Sequence, residues 1–115
     1  MITRFVILRR RQGLNKVDFS SYWEHHHGKL MSKVPGLMKY IQYHVESEIF
    51  DNTDFPIDGI EELHFDSEQT LLKALQSPQY KHVVNNENLL FDMRSLCIHP
   101  LKTLRTVEFN LQTQG

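Results

Sequence analysis

The fold is decided by residues 15–45, NKVDFSSYWEHHHGKLMSKVPGLMKYIQYHV. Asn15 is a good N-cap, and apolar residues from Phe19 onward recur at three- and four-residue steps, which predicts a helix over 16–33. Pro35-Gly36 ends this helix, and residues 37–46 then alternate as a strand. One face of the strand carries Met38, Tyr40, Gln42 and His44, and the other carries Leu37, Ile41, Tyr43 and Val45.

Further strands and helices are predicted on both sides of this unit. Residues 2–8 are apolar on both faces, as in a central strand, and residues 59–65 alternate, with Ile60, Glu62 and His64 on one face. The remaining predictions are a helix after Ser67, a helix after Ser77, a strand over 95–99 that Pro100 ends, and an extended piece over 104–111. The order β-α-β-β-α-α-β predicts the α+β class, with an antiparallel sheet and helices on one face.

Composition and charge narrow the class of protein. The chain has 115 residues, which fits one domain, placed here at 1–111 with a polar tail over 112–115. Its net charge of −1 provides no overall field toward nucleic acids or anionic membranes. No apolar run is long enough to span a bilayer. The single cysteine, Cys97, cannot form an internal disulfide, so we expect a cytoplasmic protein.

Two features predict a partner chain. One sheet face, expected to include Val6, Leu8 and Tyr40, has no element of this short chain left to cover it, so we expect a homodimer. The loop over 47–56 is too long for a tight hairpin, and it is a candidate lid or interface arm.

Three successive histidines, His25 to His27, invite interpretation as a metal site. Neighbouring side chains on a helix diverge by about 100°, so the three cannot share one ion. His25 points away from the apolar stripe. Helical periodicity alone favours His26 as the most buried of the three, with His27 on the flank of the stripe.

Three motifs occur in order along the chain. Their residues are Phe19, Tyr22, Trp23, His27 and Leu30 in F-x-x-Y-W-x-x-x-H-x-x-L, then Pro35, Gly36, Tyr40 and His44 in P-G-L-x-x-Y-x-x-x-H-V, then Asp58, Gly59, Glu62, Leu63 and Phe65 in D-G-x-x-E-L-W-F-D-S. From residue 1 to about 92 the chain thus resembles the EthD family, within the dimeric α+β barrel superfamily. His64 stands where this pattern has tryptophan.

The resemblance carries expectations about fold and function. It implies a ferredoxin-like fold that dimerises through its sheets, with a cleft in each subunit between sheet and helices. Family members include proteins of ethyl tert-butyl ether degradation and a methylmuconolactone methylisomerase, in which the residues matching His27 and Tyr40 line the active cleft. The pattern therefore selects His27 rather than His26. Members generally work without a metal or an organic cofactor, so the resemblance implies none here.

These observations together yield a candidate site. We expect a catalytic set of His27, Tyr40, His44 and Glu62, and a substrate-binding set of Trp23, His26, His64 and Gln42. Histidine, a hydroxyl donor and a carboxylate suit proton transfer on a small cyclic or aromatic oxygenated metabolite, provided that the two strands turn these faces to the same side. The resulting hypothesis is a cofactor-independent isomerase, dehydratase or oxidoreductase.

Other interpretations stay open. The polar residues are also consistent with a structural hydrogen-bonded cluster, with a non-catalytic dimeric binding protein for a small hydrophobic ligand, or with a small monooxygenase. A metal site of His27, His44, His64 and Glu62 lacks any metal-ligand spacing motif and is not predicted. The run Arg9-Arg10-Arg11 is interpreted as a solvated strand end, although it could dock a phosphate or a carboxylate.

Overall fold

The computed structural model describes residues 1–46, 54 and 56–112. Its strands are β1 (Ile2–Leu8), β2 (Leu37–His44), β3 (Gly59–Phe65) and β4 (Cys97–Lys102), and its helices are α1 (Lys16–Tyr22), α2 (Gly28–Met31), α3 (Glu68–Leu75) and α4 (Pro78–Leu90). A π-helical turn, Trp23–His27, joins α1 to α2, and the three segments form what is called the first helix below. The predicted lid or arm over 47–56 lies outside the described residues, apart from positions 54 and 56.

All four strands pair antiparallel in one sheet, in the order β2-β3-β1-β4. Leu8 on β1 is opposite Gly59, and Gln42 on β2 is opposite Glu61. The helices pack on one face of the sheet, called the covered face. The expected α+β class and ferredoxin-like topology are therefore confirmed. None of the helices within the described ranges is long and apolar enough to cross a membrane.

The core lies between the helices and the covered face. Val6 and Leu8 point into it and are 4% and 0% exposed, and Tyr40 packs against it. The prediction that these three residues lie on the uncovered face is wrong, because the alternation along β1 leaves Phe5 and Ile7 on that side instead. The other face, called the open face, carries Phe5, Ile7, Tyr43, Ile60 and Glu62.

The π-helical turn determines which residues of the first helix point into the core. In an α-helix of about 3.6 residues per turn, positions four apart drift around the axis. The π turn contains more residues per turn than an α turn, so residues four apart across it stay on the same side of the helix. Phe19, Trp23, His27 and Met31 are accordingly all buried. The periodicity that favoured His26 is therefore misleading, since His26 is exposed and His27 is 0% exposed.

The C-terminal part differs from its prediction in two ways. β4 runs through Pro100 instead of ending there, which an edge strand permits because one side of its backbone needs no hydrogen-bond partner. The extended piece predicted over 104–111 forms no strand with any of the described residues. Its apolar side chains are exposed, including Leu104 and Phe109.

Candidate functional site

A group of polar side chains lies inside the core, where the first helix crosses the covered face. Trp23 and His27 belong to the first helix, Tyr40 to β2, Glu61 to β3 and Asn86 to α4. His27 is 0% exposed and Glu61 is 3% exposed. These five side chains are called the buried polar cluster. Burying polar groups destabilises a fold unless they form hydrogen bonds, so the contacts within this cluster need an explanation.

One carboxylate oxygen, Glu61 Oε2, joins the cluster together. Tyr40 Oη donates a hydrogen bond to it, and Trp23 Nε1 donates another at 3.1 Å. His27 Nε2 lies 3.5 Å from the same oxygen. The indole of Trp23 can lie close to β3 because Gly59 has no side chain, since a Cβ there would be 2.4 Å from the indole Cη2. The glycine therefore provides the space from which the indole N–H reaches Glu61.

The hydrogen bonds of His27 determine which ring nitrogen carries a proton. His27 Nδ1 lies 2.8 Å from Asn86 Oδ1, and an amide oxygen only accepts, so Nδ1 donates. The Asn86 amide is oriented by its own donation to Tyr22 Oη, at 2.9 Å. His27 Nε2 is buried and has no hydrogen-bond partner among the described residues. Nε2 is therefore the nitrogen that can gain or lose a proton.

The environment shifts the proton affinities of the cluster. Burial alone lowers the pKa of His27, but the facing carboxylate of Glu61 and the Asn86 hydrogen bond more than offset it, so the pKa lies above the ordinary 6.5. Burial and then the negative charge of Glu61 raise the pKa of Tyr40 far above the ordinary value of 10. Tyr40 therefore keeps its proton at neutral pH and acts as a donor.

Two members of this region were missed by the sequence analysis, Asn86 and Glu87 of α4. Both are buried, with 6% and 8% exposure. Burial and, secondarily, the charge of Glu61 raise the pKa of Glu87 to about 7. Their spacing in the sequence could have revealed them. Asn86 and Glu87 lie three and four residues after the buried Val83, and four and three residues before the buried Leu90. At this helical spacing they share the buried side of α4 with those apolar residues.

A chain of hydrogen bonds leads from the buried polar cluster to the surface. Gln42 Nε2 donates to Tyr40 Oη at 2.9 Å and to the Trp23 carbonyl oxygen at 3.0 Å. His44 Nε2 donates to Gln42 Oε1 at 2.8 Å, and Ser20 Oγ bonds to His44 Nδ1. The His44 ring also packs against the Trp23 ring, with 4.4 Å between centroids. Burial lowers the pKa of His44.

An open cavity of about 400 Å³ lies at the outer end of this chain. Its lining residues are Glu24, Gly28, Tyr40, Gln42 and His44. Tyr40 thus belongs both to the cavity and to the buried polar cluster. A ligand in the cavity reaches Tyr40 and His44 directly, and it communicates with Glu61 and His27 through Tyr40.

The structure brings together only part of the predicted site. Tyr40, Gln42 and His44 share the covered face, as predicted, and Trp23 and His27 meet them there. Glu62 and His64 do not join them, and they lie on the open face 2.5 Å from each other.

The expectation that the two predicted strand faces point to the same side is thus wrong. Gln42 is opposite Glu61 in the register, and residues opposite each other in an antiparallel pair share a face. The carboxylate beside Tyr40 is therefore Glu61 and not Glu62. This arrangement also separates His27 and His44 from the other two candidate metal ligands. His26 is exposed and stacks on Tyr22, with 4.6 Å between ring centroids, away from the cluster.

Solved structures share this fold at low sequence identity. An ethyl tert-butyl ether degradation (EthD) family protein from Bacillus halodurans is 15% identical, with a TM-score of 0.73 and coverage of 90% of this chain and 100% of that one. A dimeric protein of unknown function and ferredoxin-like fold from Bacteroides fragilis is 10% identical, with a TM-score of 0.63 and coverage of 89% and 95%. SnoaB, a cofactor-independent oxygenase from Streptomyces nogalater, is 10% identical, with a TM-score of 0.62 and coverage of 92% and 95%. Likeness at these identities shows the fold alone.

The family is shown by sequence. No curated protein matches the chain. The model of the EthD domain matches residues 11–92, which is well over half of the chain and includes all three motifs. The chain belongs to the EthD domain family.

Proposed function

We propose that this EthD-domain protein is a cofactor-independent enzyme that moves protons on a small cyclic or aromatic oxygenated metabolite. The observation that carries the proposal is His27 Nε2, which faces Glu61 Oε2 at 3.5 Å and has no hydrogen-bond partner among the described residues. In a core that only stabilises the fold, a buried ring nitrogen ordinarily has a hydrogen-bond partner, or an apolar side chain takes the place of the histidine. An open proton site beside a carboxylate and a hydroxyl donor suits general acid–base chemistry.

In the proposed mechanism, the substrate oxygen lies in the cavity against Tyr40. Tyr40 donates its one hydroxyl proton to Glu61, so its oxygen is free to accept a proton from the substrate. When the substrate gives up a proton, Tyr40 accepts it and passes its own proton to Glu61, and Glu61 passes a proton on to His27 Nε2. With the proton that it has received, Tyr40 then donates a hydrogen bond to the substrate oxygen on which negative charge develops. The raised pKa of His27 favours this uptake. Reversing the sequence returns the proton to a different atom of the substrate, which completes an isomerisation.

The remaining residues have supporting roles. Glu61 takes the role that the sequence analysis gave to Glu62. Asn86 is a positioning residue, because it keeps the proton of neutral His27 on Nδ1 and leaves Nε2 free. His44 and Gln42 line the cavity and hold Tyr40 in place. SnoaB, a protein of the same fold, is described as a cofactor-independent oxygenase, which supports chemistry without an organic cofactor here.

The test follows hydrogen–deuterium exchange at the acidic carbon of an unsaturated five-membered lactone, α-angelica lactone, by NMR. We expect the wild type to accelerate the exchange, and Tyr40→Phe and His27→Gln to lose about 10²–10⁴-fold of that acceleration. Tyr43→Phe and His26→Gln are matched controls, because both side chains lie outside the buried polar cluster. Circular dichroism confirms that each variant is folded. Folded Tyr40→Phe and His27→Gln variants with the wild-type rate would contradict the proposal.

A second candidate function is a non-catalytic binding protein for a small hydrophobic ligand. The observation that favours it is the enclosure of His27, which has 0% exposure and touches a ligand only through other groups. This function predicts saturable ligand binding without turnover, and an affinity that His27→Gln leaves unchanged. A monooxygenase would instead consume oxygen with its substrate and no added cofactor, which an oxygen electrode measures.

We also propose that the protein is a homodimer formed through the open face. Phe5, Ile7, Tyr43 and Ile60 line a shallow cavity of about 310 Å³ on that face, which no described element covers. Exposed apolar patches of this kind are typical of protein interfaces. One solved structure of the same fold is described as dimeric, which supports the proposal.

A further inference from the structure

A second group of charged side chains lies where β1 ends. A cavity of about 580 Å³ there is lined by five cationic side chains, Arg9, Arg10, Arg11, Lys16 and Arg94. They are five of the chain's 13 Lys and Arg residues, and the chain as a whole has a net charge of −1. The positive charge of this cavity, called the basic groove, is therefore local. The basic groove shares no lining residue with the cavity at Tyr40.

Two carboxylates in the basic groove neutralise part of this charge. Asp58 Oδ1 lies 2.6 Å from Arg10 Nη1 and 4.0 Å from Lys16 Nζ. Asp92 Oδ1 lies 3.3 Å from Arg94 Nε. Arg10 therefore has a structural role, because it also donates from its backbone N–H to Asp58 and so ties the strand end to the start of β3. The side chain of Arg94 is 85% exposed and can turn to a ligand.

Arg9 and Arg11 are the cations that this pairing leaves over. Within the described parts of the chain, neither guanidinium has a carboxylate partner within 4.0 Å. Their backbones are fixed, since Arg11 N–H donates to the Leu90 carbonyl oxygen at 2.8 Å and Asp92 N–H donates to the Arg9 carbonyl oxygen at 2.9 Å. Two guanidinium groups without a carboxylate partner among the described residues thus extend from a fixed backbone at the wall of one cavity.

An apolar cavity adjoins the basic groove. It has a volume of about 620 Å³ and shares the charged residues Arg9, Arg94 and Asp92 with the groove, and Asp54 also lines it. Ile7, Leu8 and Leu96 contribute to its walls. A ligand that fits both cavities carries a negative head and an apolar body.

We propose that the basic groove and the adjoining apolar cavity bind one amphipathic organic anion. Its carboxylate or phosphate head lies between Arg9, Arg11 and Arg94, whose guanidinium groups donate paired hydrogen bonds to such oxygens. Its apolar body lies against Ile57 and Leu96. This site shares no lining residue with the cavity at Tyr40, so its test does not depend on the proposed proton transfer.

Isothermal titration calorimetry of the full chain tests the site with four probes: octyl phosphate, octanoate, octan-1-ol and inorganic phosphate. We expect at least one of the two amphipathic anions to bind saturably, and the stronger of them identifies the head group. Octanol and inorganic phosphate should each bind at least about tenfold more weakly, because each lacks one half of the ligand. These comparisons use the wild type and do not depend on the folding of any variant.

Variants then locate the site. In Arg11→Gln/Arg94→Gln, where both side chains are exposed, we expect about a tenfold or greater loss of affinity for the stronger anion. Lys81→Gln removes an exposed cation of α4 outside the groove and should keep the wild-type affinity. The proposal is overturned if neither anion saturates, if octanol or inorganic phosphate binds as tightly, or if the double variant binds like the wild type.

Discussion

The two faces of the sheet carry the same three residue types in very different surroundings. On the covered face, Tyr40 donates to Glu61, which His27 faces at 3.5 Å. On the open face, Tyr43 donates to Glu62 at 3.0 Å, and His64 Nε2 lies 2.5 Å from Glu62. Each side of the sheet therefore has a tyrosine, a glutamate and a histidine, of which His27 comes from the first helix, and the two glutamates are neighbours in sequence.

Burial makes these two triplets chemically different. The hydrogen bonds from His64 and Tyr43 lower the pKa of Glu62, so Glu62 is the charged acceptor of a hydrogen-bonded group that keeps contact with solvent. On the covered face, burial and Glu61 raise the pKa of Tyr40, and His27 Nε2 has no hydrogen-bond partner among the described residues. The same residue types thus give a half-buried hydrogen-bonded pair on one side and the proposed proton-transfer site on the other, because their surroundings differ.

The largest expected effect on the free energy of unfolding comes from replacing Glu61, the glutamate of the covered face, by alanine. Glu61→Ala leaves the buried Trp23 N–H and Tyr40 hydroxyl without an acceptor, and we expect it to lower the free energy of unfolding by about 3–5 kcal/mol. Glu62→Ala is the matched control, and its effect on the free energy of unfolding should stay within about 1 kcal/mol, because the side chains of Glu62 and His64 keep 18% and 19% of their surface in contact with solvent. Urea denaturation measures both. Equal losses in the two variants would show that the faces do not differ as described.

A smaller effect, dependent on pH, is expected at Glu87 on the covered side. Because its pKa in the fold is raised from 4.5 to about 7, the stability it contributes is full below pH 4.5 and is lost as the pH rises through about 7. Glu87→Gln cannot ionise, so at about pH 8.5 it should be more stable than the wild type by about 2–3 kcal/mol. At about pH 4.5 the two should match. Denaturation curves across this pH range measure the difference.

The exposed Glu108 serves as the control for this pH series. Glu108→Gln should follow the wild type at every pH, because the Glu108 side chain is exposed and contacts no part of the core. A Glu87→Gln variant that also follows the wild type at every pH would exclude a buried, proton-holding Glu87.

The smallest effect on the free energy of unfolding is expected for a substitution of Ile60 on the open face, which should instead prevent dimerisation. Ile60→Glu places a charge among apolar side chains of the proposed interface and should convert a dimer into a monomer. The monomer's own free energy of unfolding should change by less than about 1 kcal/mol, since the residue is not in the core. Light scattering after size exclusion measures the mass. A monomeric wild type, or a variant that stays dimeric, would contradict this interface.

Most of the fold was predictable because it depends on local patterns. The bounds of β1 and β3 agree with the prediction, since alternation and apolar runs are properties of each strand alone. The helix starts at Lys16, after the N-cap Asn15, as predicted. The course of β4 through Pro100 was not predictable, because it depends on that strand lying at the sheet edge, which is a property of the whole sheet.

The site was predictable only in part, because it depends on the register between neighbouring strands and on which side of each helix faces the sheet. The sequence shows that Glu61 and Glu62 lie on opposite faces, but it does not show which of them is opposite Gln42. A register shift near Leu37 and Lys39 in the pairing of β2 with β3 adds to this difficulty. Asn86 and Glu87 were missed for another reason, since polar residues on an amphipathic helix are ordinarily assigned to its solvent side.

At the π-helical turn Trp23–His27, the number of residues that precede the histidines determines which of them points into the core. The three histidines of this turn are identical in composition and adjacent in sequence, and only rotation about the helix axis distinguishes them. The insertion of one residue before them would therefore bring His26 toward Glu61, and the deletion of one residue would bring Gly28 there, without replacing any side chain. In this protein, the number of residues per turn determines which histidine faces Glu61 as much as the residues themselves do.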